Sequence, residues 1–149
     1  AIGFELTLSM MLSVWICDSA AFIFGKKFGK KKILPQVSPK KTWVGTIAGL
    51  IASFVVMLSF YSANFSFAGY TEPDGFFKGI LNVTDVCAIS IIVGIFGQAG
   101  DFAESLIKRE AGLKDSGTLL RGHGGILDRF DSLAYSSPLL FIYAKHFIN

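Results

Sequence analysis

Between residues 101 and 131 this chain alternates carboxylates with cations, in spacings that suit phosphate and metal chemistry. Within "HGGILDRFD", Asp128 and Asp131 stand three residues apart and project from one face of a helix. Carboxylates brought together are hard oxygen donors of the kind Mg2+ prefers. Arg121 and Arg129 lie close by, and a guanidinium grips phosphate through two parallel hydrogen bonds. Gly122, Gly124 and Gly125 allow close backbone approach. His123 admits three roles: a structural hydrogen-bonding group, a phosphate contact or a proton-transfer group. No second His stands at metal-ligand spacing, which argues against zinc. Upstream, "DFAESLIKR" puts Asp101, then Glu104 or Ser105, then Lys108 on one helical face. In isolation this reads as an exposed amphipathic turn with a Glu104–Lys108 pair. Asp101, however, directly follows "GQAG" at the end of an apolar run, and a carboxylate at membrane depth is expensive and generally functional.

A second polar segment is "DSAAFIFGKKFGKKKILPQVSPKKTW", residues 18–43. Asp18 lies deep in the first apolar run, either satisfied by a neighbouring helix or part of a site. The lysines from Lys26 to Lys32 could simply attract anionic lipid, at about 1 kcal/mol each near a membrane surface. Ser38, Lys40, Lys41 and Thr42 are more pointed, because hydroxyls and ammoniums there immediately precede a helix, and helix N-termini attract anions. The Gly-Lys spacing in "GKKFGKKK" is not that of a P-loop. Acids for a metal and bases for phosphates together suggest phosphoryl or nucleotidyl transfer, where catalysis is mostly positioning and charge neutralisation. The competing explanation is a cation-coupled transporter using Asp18, Asp85 and Asp101. Asp85, near the far end of its apolar run, is assigned no catalytic role.

The elements that must position these residues are membrane helices. Of 149 residues, 52% are hydrophobic and 17% charged, against about 25% charged in soluble domains. Four apolar stretches stand out: Ala1–Phe24, Trp43–Ser62, Gly79–Gly100 and Ser132–Ile148. Each approaches the roughly 20 residues that cross about 30 Å of hydrocarbon as helix. They are long and do not alternate, and backbone in lipid must bond to itself, so helix is expected over strand. The expectation is an all-α polytopic integral membrane protein with about four transmembrane helices and a short cytoplasmic amphipathic helix over 101–109. The chain reads as one membrane-embedded domain, 1–149. Ala1–Ser13 lacks signal-peptide features, and the helix-like start suggests the C-terminal portion of a longer protein. Cys17 and Cys87 lie in apolar runs and read as small buried hydrophobes. The connector Lys26–Lys41 holds seven Lys and no acid, whereas Ala63–Lys78 carries Glu72 and Asp74. The positive-inside tendency puts the Lys-rich connector in the cytoplasm and brings residues 101–131 to the same side.

With those residues in view, "SLIKREAGLKDSGTLLRGHGGILDRFDS" resembles the signature of the phosphatidate cytidylyltransferases, the CDP-diacylglycerol synthases, of bacterial type. The match falls on Ser105, Lys108, Arg109, Lys114, Asp115, His123, Gly124, Gly125, Asp128, Arg129 and Asp131. "DSAAFIFGKKFGKKK" and "SPKKTWVG" resemble a second segment of the same family, so the likeness covers most of residues 18–132. Two departures are Arg121, where the family commonly has Pro, and Val44, where it has Glu or Gln. The resemblance implies transfer of a cytidylyl group from CTP to phosphatidic acid, giving CDP-diacylglycerol and pyrophosphate in phospholipid biosynthesis. It implies Mg2+ held by Asp101 and Asp128, with K+ as a second cation. Catalytic roles fall on Asp101, Asp128, Lys108, Arg129 and Asp131. Substrate and phosphate binding falls on Asp18, Ser38, Lys40, Lys41, Thr42, Ser105, Arg109, Lys114, His123, Gly124 and Gly125. The expected partners are CTP, phosphatidic acid and the bilayer, with a homodimer as a further expectation and no nucleic acid. The expected location is the inner (plasma) membrane, multi-pass, with the active site on the cytoplasmic side. A related transferase acting on an isoprenoid lipid is the near alternative.

Overall fold

The computed structural model of the protein describes residues 2–62, 81–112 and 127–148, with the side chains of residue 2 and residues 127–129 outside that description. Helix α1 (Ile2–Phe28) runs four residues beyond its apolar stretch. Its last turn carries Lys26 and Lys27, whose charges oppose the negative end of the helix dipole. The connector then doubles back. Ile33 N donates to Lys41 O at 3.2 Å and Trp43 N to Lys31 O at 3.2 Å. These bonds make an isolated antiparallel bridge between Lys32 and Thr42, and the described residues contain no strand.

Helix α2 spans Trp43–Ser62, the limits of its apolar stretch. It starts there because the Thr42 hydroxyl accepts from Gly45 N at 3.2 Å, satisfying one of the donors a helix start leaves open. The third apolar run is longer than the sequence suggests. Helix α3 (Val83–Ile91) passes through a π turn, Ile92–Phe96, into helix α4 (Gly97–Glu110). The amphipathic segment 101–109 is therefore the end of one 28-residue helix, Val83–Glu110, and not a separate piece. Gly100 does not break it, because the helix there packs tightly against the last helix. A Cβ on Gly100 would come within 2.9 Å of the Asp131 carbonyl oxygen.

Helix α5 (Leu127–Phe147) begins five residues before its apolar stretch and so includes Asp128, Arg129 and Asp131. Among the described residues three helices are long and apolar enough to cross a membrane: Gly3–Phe28, Trp43–Ser62 and Val83–Glu110. Helix α5 stands beside them as a fourth helix, with Ser132, Ser136 and Ser137 diluting its apolar character.

Helix α1 lies along α2, α2 meets α3 and the π turn, and α5 closes the bundle against α4 and α1. Lipid tails are as apolar as Leu, so close fit rather than water exclusion joins such helices. The α1–α2 contact shows the fit, since a Cβ on Gly45 would lie 2.5 Å from the Ala21 carbonyl oxygen. Ser53 bridges α2 to α3, its hydroxyl bonding to Leu50 O at 2.8 Å and Ser90 O at 3.1 Å. Each such interhelical bond contributes about 0.6 kcal/mol on average. Asp85 does comparable work at the start of α3. One carboxylate oxygen accepts from Asn82 N at 2.8 Å and the other from the Tyr143 hydroxyl at 2.7 Å, tying α3 to the far end of α5.

Candidate active site

The two polar segments meet at one end of the bundle. Lys41, delivered by the turn that precedes the Thr42 cap, reaches α4 and places its Nζ 2.5 Å from Asp101 Oδ2. The same ammonium sits 4.0 Å from the centre of the Phe102 ring. A cation over an aromatic face and beside a carboxylate is held from two sides. Both partners keep partial access to solvent, 23% for the Lys41 side chain and 34% for that of Asp101. Arg109 secures the same connector from below: its Nε donates to Val37 O at 3.4 Å.

Around the pair opens a cavity of about 260 Å³, lined by Asp18, Ser38, Lys40, Lys41, Thr42 and Asp101. All six were singled out in the sequence, from three segments separated by up to 83 positions. The fold gathers them because α1 and α2 are packed backbone to backbone and the start of α4 reaches both. Thr42 has a structural duty as well, since its buried hydroxyl caps α2. Asp18 opens onto the cavity and lies within electrostatic reach of Asp101, Asp131 and Lys41.

Asp131 sits on the first turns of α5, buried, with Oδ1 accepting from Ser132 N at 2.6 Å. Burial, and then the Asp101 charge, push its carboxyl above the usual carboxylate range. Glu104 of α4 is buried beside it. The expected Glu104–Lys108 pair forms, at 3.4 Å, but with Glu104 inside the protein rather than on an exposed face. Ser105, Lys108 and Arg109 do not line the cavity. Lys114, Asp115, His123, Gly124 and Gly125 lie outside the described residues, as do the side chains of Asp128 and Arg129, although α5 places the backbone of the latter two one turn before Asp131.

Gln98 is the cavity residue that sequence reasoning passed over. Its Nε2 contacts Gly94 O at 2.8 Å, Thr46 O at 3.1 Å and Cys17 Sγ at 3.6 Å, joining α1, α2 and the π turn behind the cavity. The signal was present in "GQAG": an amide in an apolar run needs partners just as Asp101 does. Phe22 and Thr46, which also line the cavity, carry no comparable signal.

The donor chemistry fits a divalent cation. Asp101 and Asp18 are hard oxygen ligands facing one cavity, and Asp101 already holds a cation in the form of Lys41. Among the described residues no three His, Cys, Asp or Glu are drawn together tightly enough to hold a metal by themselves.

The fold and the cavity define an all-helical, membrane-embedded protein with an acid-and-ammonium site at one end of its bundle. The chain belongs to the cytidylyltransferase family, whose model matches residues 1–147. It is 45% identical over 143 residues to a phosphatidate cytidylyltransferase of Staphylococcus haemolyticus, covering 94% of this chain and 49% of that protein. A phosphatidate cytidylyltransferase of Haemophilus influenzae is 43% identical over 147 residues, covering 98% of this chain and 47% of its own length. The chain thus spans about half the length of the curated relatives it matches. A solved structure described as an intramembrane enzyme for archaeal membrane lipids biosynthesis shares the fold, with a TM-score of 0.59 at 19% identity over 91% of this chain and 76% of that one.

Proposed function

We propose that this chain forms the catalytic portion of an enzyme that transfers a cytidylyl group from CTP to phosphatidic acid, releasing CDP-diacylglycerol and pyrophosphate. The observation that carries the reading is the Lys41–Asp101 pair facing a cavity shared with Asp18, Ser38 and Lys40, in a chain whose relatives bear the name phosphatidate cytidylyltransferase.

The reaction joins two polyanions, so the site's task is to remove repulsion and hold geometry. The lipid phosphate oxygen attacks the α-phosphorus of CTP, and the bond to the departing pyrophosphate breaks. That nucleophile is already largely ionised near neutral pH, so no strong general base is needed. Lys40 and Lys41 offset charge from the cavity wall, and Lys108, Arg109 and Arg129 offset what remains. Ser38 and His123 orient phosphate oxygens, and Ser105, Lys114, Gly124 and Gly125 complete the phosphate contacts. Asp131 either joins the metal ligands or holds Arg129 in place. Asp101 and Asp128 are the residues that would hold Mg2+, with K+ as a second cation; the metal supplies charge neutralisation of the triphosphate and of the leaving group. The site faces the cytoplasm across the inner membrane, where a water-soluble nucleotide and a bilayer-bound lipid can both reach it. Two copies forming a homodimer complete this reading, and cross-linking in nanodiscs tests that element separately.

The transporter reading loses its middle residue, because one carboxylate oxygen of Asp85 caps α3 at Asn82 N and the other binds the Tyr143 hydroxyl of α5. The deciding experiment gives the intact protein, in vesicles, radiolabelled CTP with phosphatidic acid or with an isoprenoid phosphate, with and without Mg2+. Mg2+-dependent label in CDP-diacylglycerol is expected. Label only in the isoprenoid product would reassign the lipid, and label in neither would end the enzyme reading.

A further inference from the structure

A second groove, of about 310 Å³, adjoins the cavity and is lined among the described residues by Phe22, Lys26 and Lys40. Phe22 and Lys40 belong to both, so the two share a wall. Asp18, Phe22 and Lys26 follow one another at i, i+4 and i+8 on α1 and therefore climb a single ridge, about 12 Å from first to last along the axis. The acid lies within the apolar run, the ring stands at the shared wall, and the ammonium lies in the last turn of the helix. Phe22 is 62% exposed on a helix long and apolar enough to cross the membrane. Lys26 Nζ leans over that ring, 5.9 Å from its centre.

We propose that this groove receives the phosphomonoester headgroup of the lipid substrate, with Lys26 and Lys40 as its counter-charges and Phe22 against the glycerol and first methylenes. The inference rests on the transferase reading above and extends it by separating a lipid subsite from the nucleotide cavity. Two ammoniums match a phosphomonoester near its second ionisation, and lysine binds phosphate as a point charge. An exposed aromatic ring suits an amphiphile at the membrane boundary, where one end of the ligand is apolar and the other wet. A nucleoside triphosphate offers the same phosphate chemistry but no acyl chain for the exposed ring, and the test separates the two sources.

Initial rates are measured for the intact protein in phosphatidylcholine vesicles, varying the mole fraction of phosphatidic acid and, separately, CTP. Lys26→Gln is expected to raise KM for the lipid about tenfold, with kcat and KM for CTP unchanged. Lys26→Arg should recover most of the loss. Lys30→Gln, which neutralises the same lysine run outside the groove, should leave the lipid KM unchanged. An unaltered lipid KM in Lys26→Gln would overturn the assignment. So would equal losses in Lys26→Gln and Lys30→Gln, which would mean diffuse attraction to the surface. A rise in KM for CTP in place of the lipid would give the groove to the nucleotide. A wild-type protein that makes no CDP-lipid in these vesicles sinks the transferase reading itself, an outcome distinct from the other three.

Discussion

Two ends of the same bundle carry acids in or beside apolar runs, and they are treated in opposite ways. At the α3 start, Asp85 has each oxygen matched to a neutral donor, Asn82 N and the Tyr143 hydroxyl. At the other end Asp101 faces an ammonium, and Asp18 and Asp131 lie within reach of its charge beside a cavity. An acid with its lone pairs occupied by fixed dipoles is a fastener. Acids crowded together against one lysine hold like charges at close range, an arrangement that a bound cation would relieve. Composition cannot separate the two cases, because each is an Asp in an apolar run.

The largest effects are expected at the open end. Asp101→Asn and Asp128→Asn should each reduce CDP-lipid formation by at least about a hundredfold while the circular dichroism spectrum and detergent elution profile stay those of the parent. Withdrawing divalent cations with a chelator should silence the parent enzyme, and adding Mg2+ back should restore it. Normal turnover in Asp128→Asn would undo the metal assignment. Lys41→Ala comes next, with a loss of about ten- to a hundredfold in kcat/KM, and Lys41→Arg should recover it only in part, since a planar fork does not reproduce a point charge over the Phe102 ring.

At the closed end the effects should fall on stability alone. Tyr143→Phe leaves an Asp85 oxygen without its donor and should lower stability by about 1–3 kcal/mol, read as a lower thermal midpoint, with kcat unchanged below the transition. A variant at Tyr143 or Asp85 that folds normally yet loses transfer would erase the distinction between the two ends. The smallest change expected is Thr42→Val, about 1 kcal/mol from loss of the α2 cap, recovered by Thr42→Ser. If Thr42→Ser fails to recover activity as well as stability, the methyl group of Thr42 takes part in shaping the cavity.

Much of this was legible in the residues. Long apolar runs announced helices, and the start of α2 could be read to the residue, because a Thr hydroxyl before an apolar run is a local signal that needs no tertiary partner. Asp101 was identifiable because a carboxylate at membrane depth is costly wherever the chain folds, and Ser38, Lys40 and Lys41 because hydroxyls and ammoniums just before a helix attract anions. The continuity of 83–110 was not legible. The segment is apolar up to Gly100 and charged beyond it, and only the fold shows both parts in one helix, with Gly100 packed against Asp131 and Tyr135. Glu104 was misread as a surface partner for the same reason: its burial depends on α5, which comes from twenty residues further on.

By itself, then, the sequence determined the helical class, the membrane environment and the inventory of charged groups, since these follow from side-chain chemistry and from backbone that must satisfy its own hydrogen bonds in lipid. Only the tertiary structure decided which acids meet: Asp18 and Asp101, on two helices, face one lysine, while Asp85 is spent on a neighbour's hydroxyl. Pairing between segments far apart in the chain depends on where small residues let helices touch, and that is a property of the packed bundle rather than of any one stretch of it.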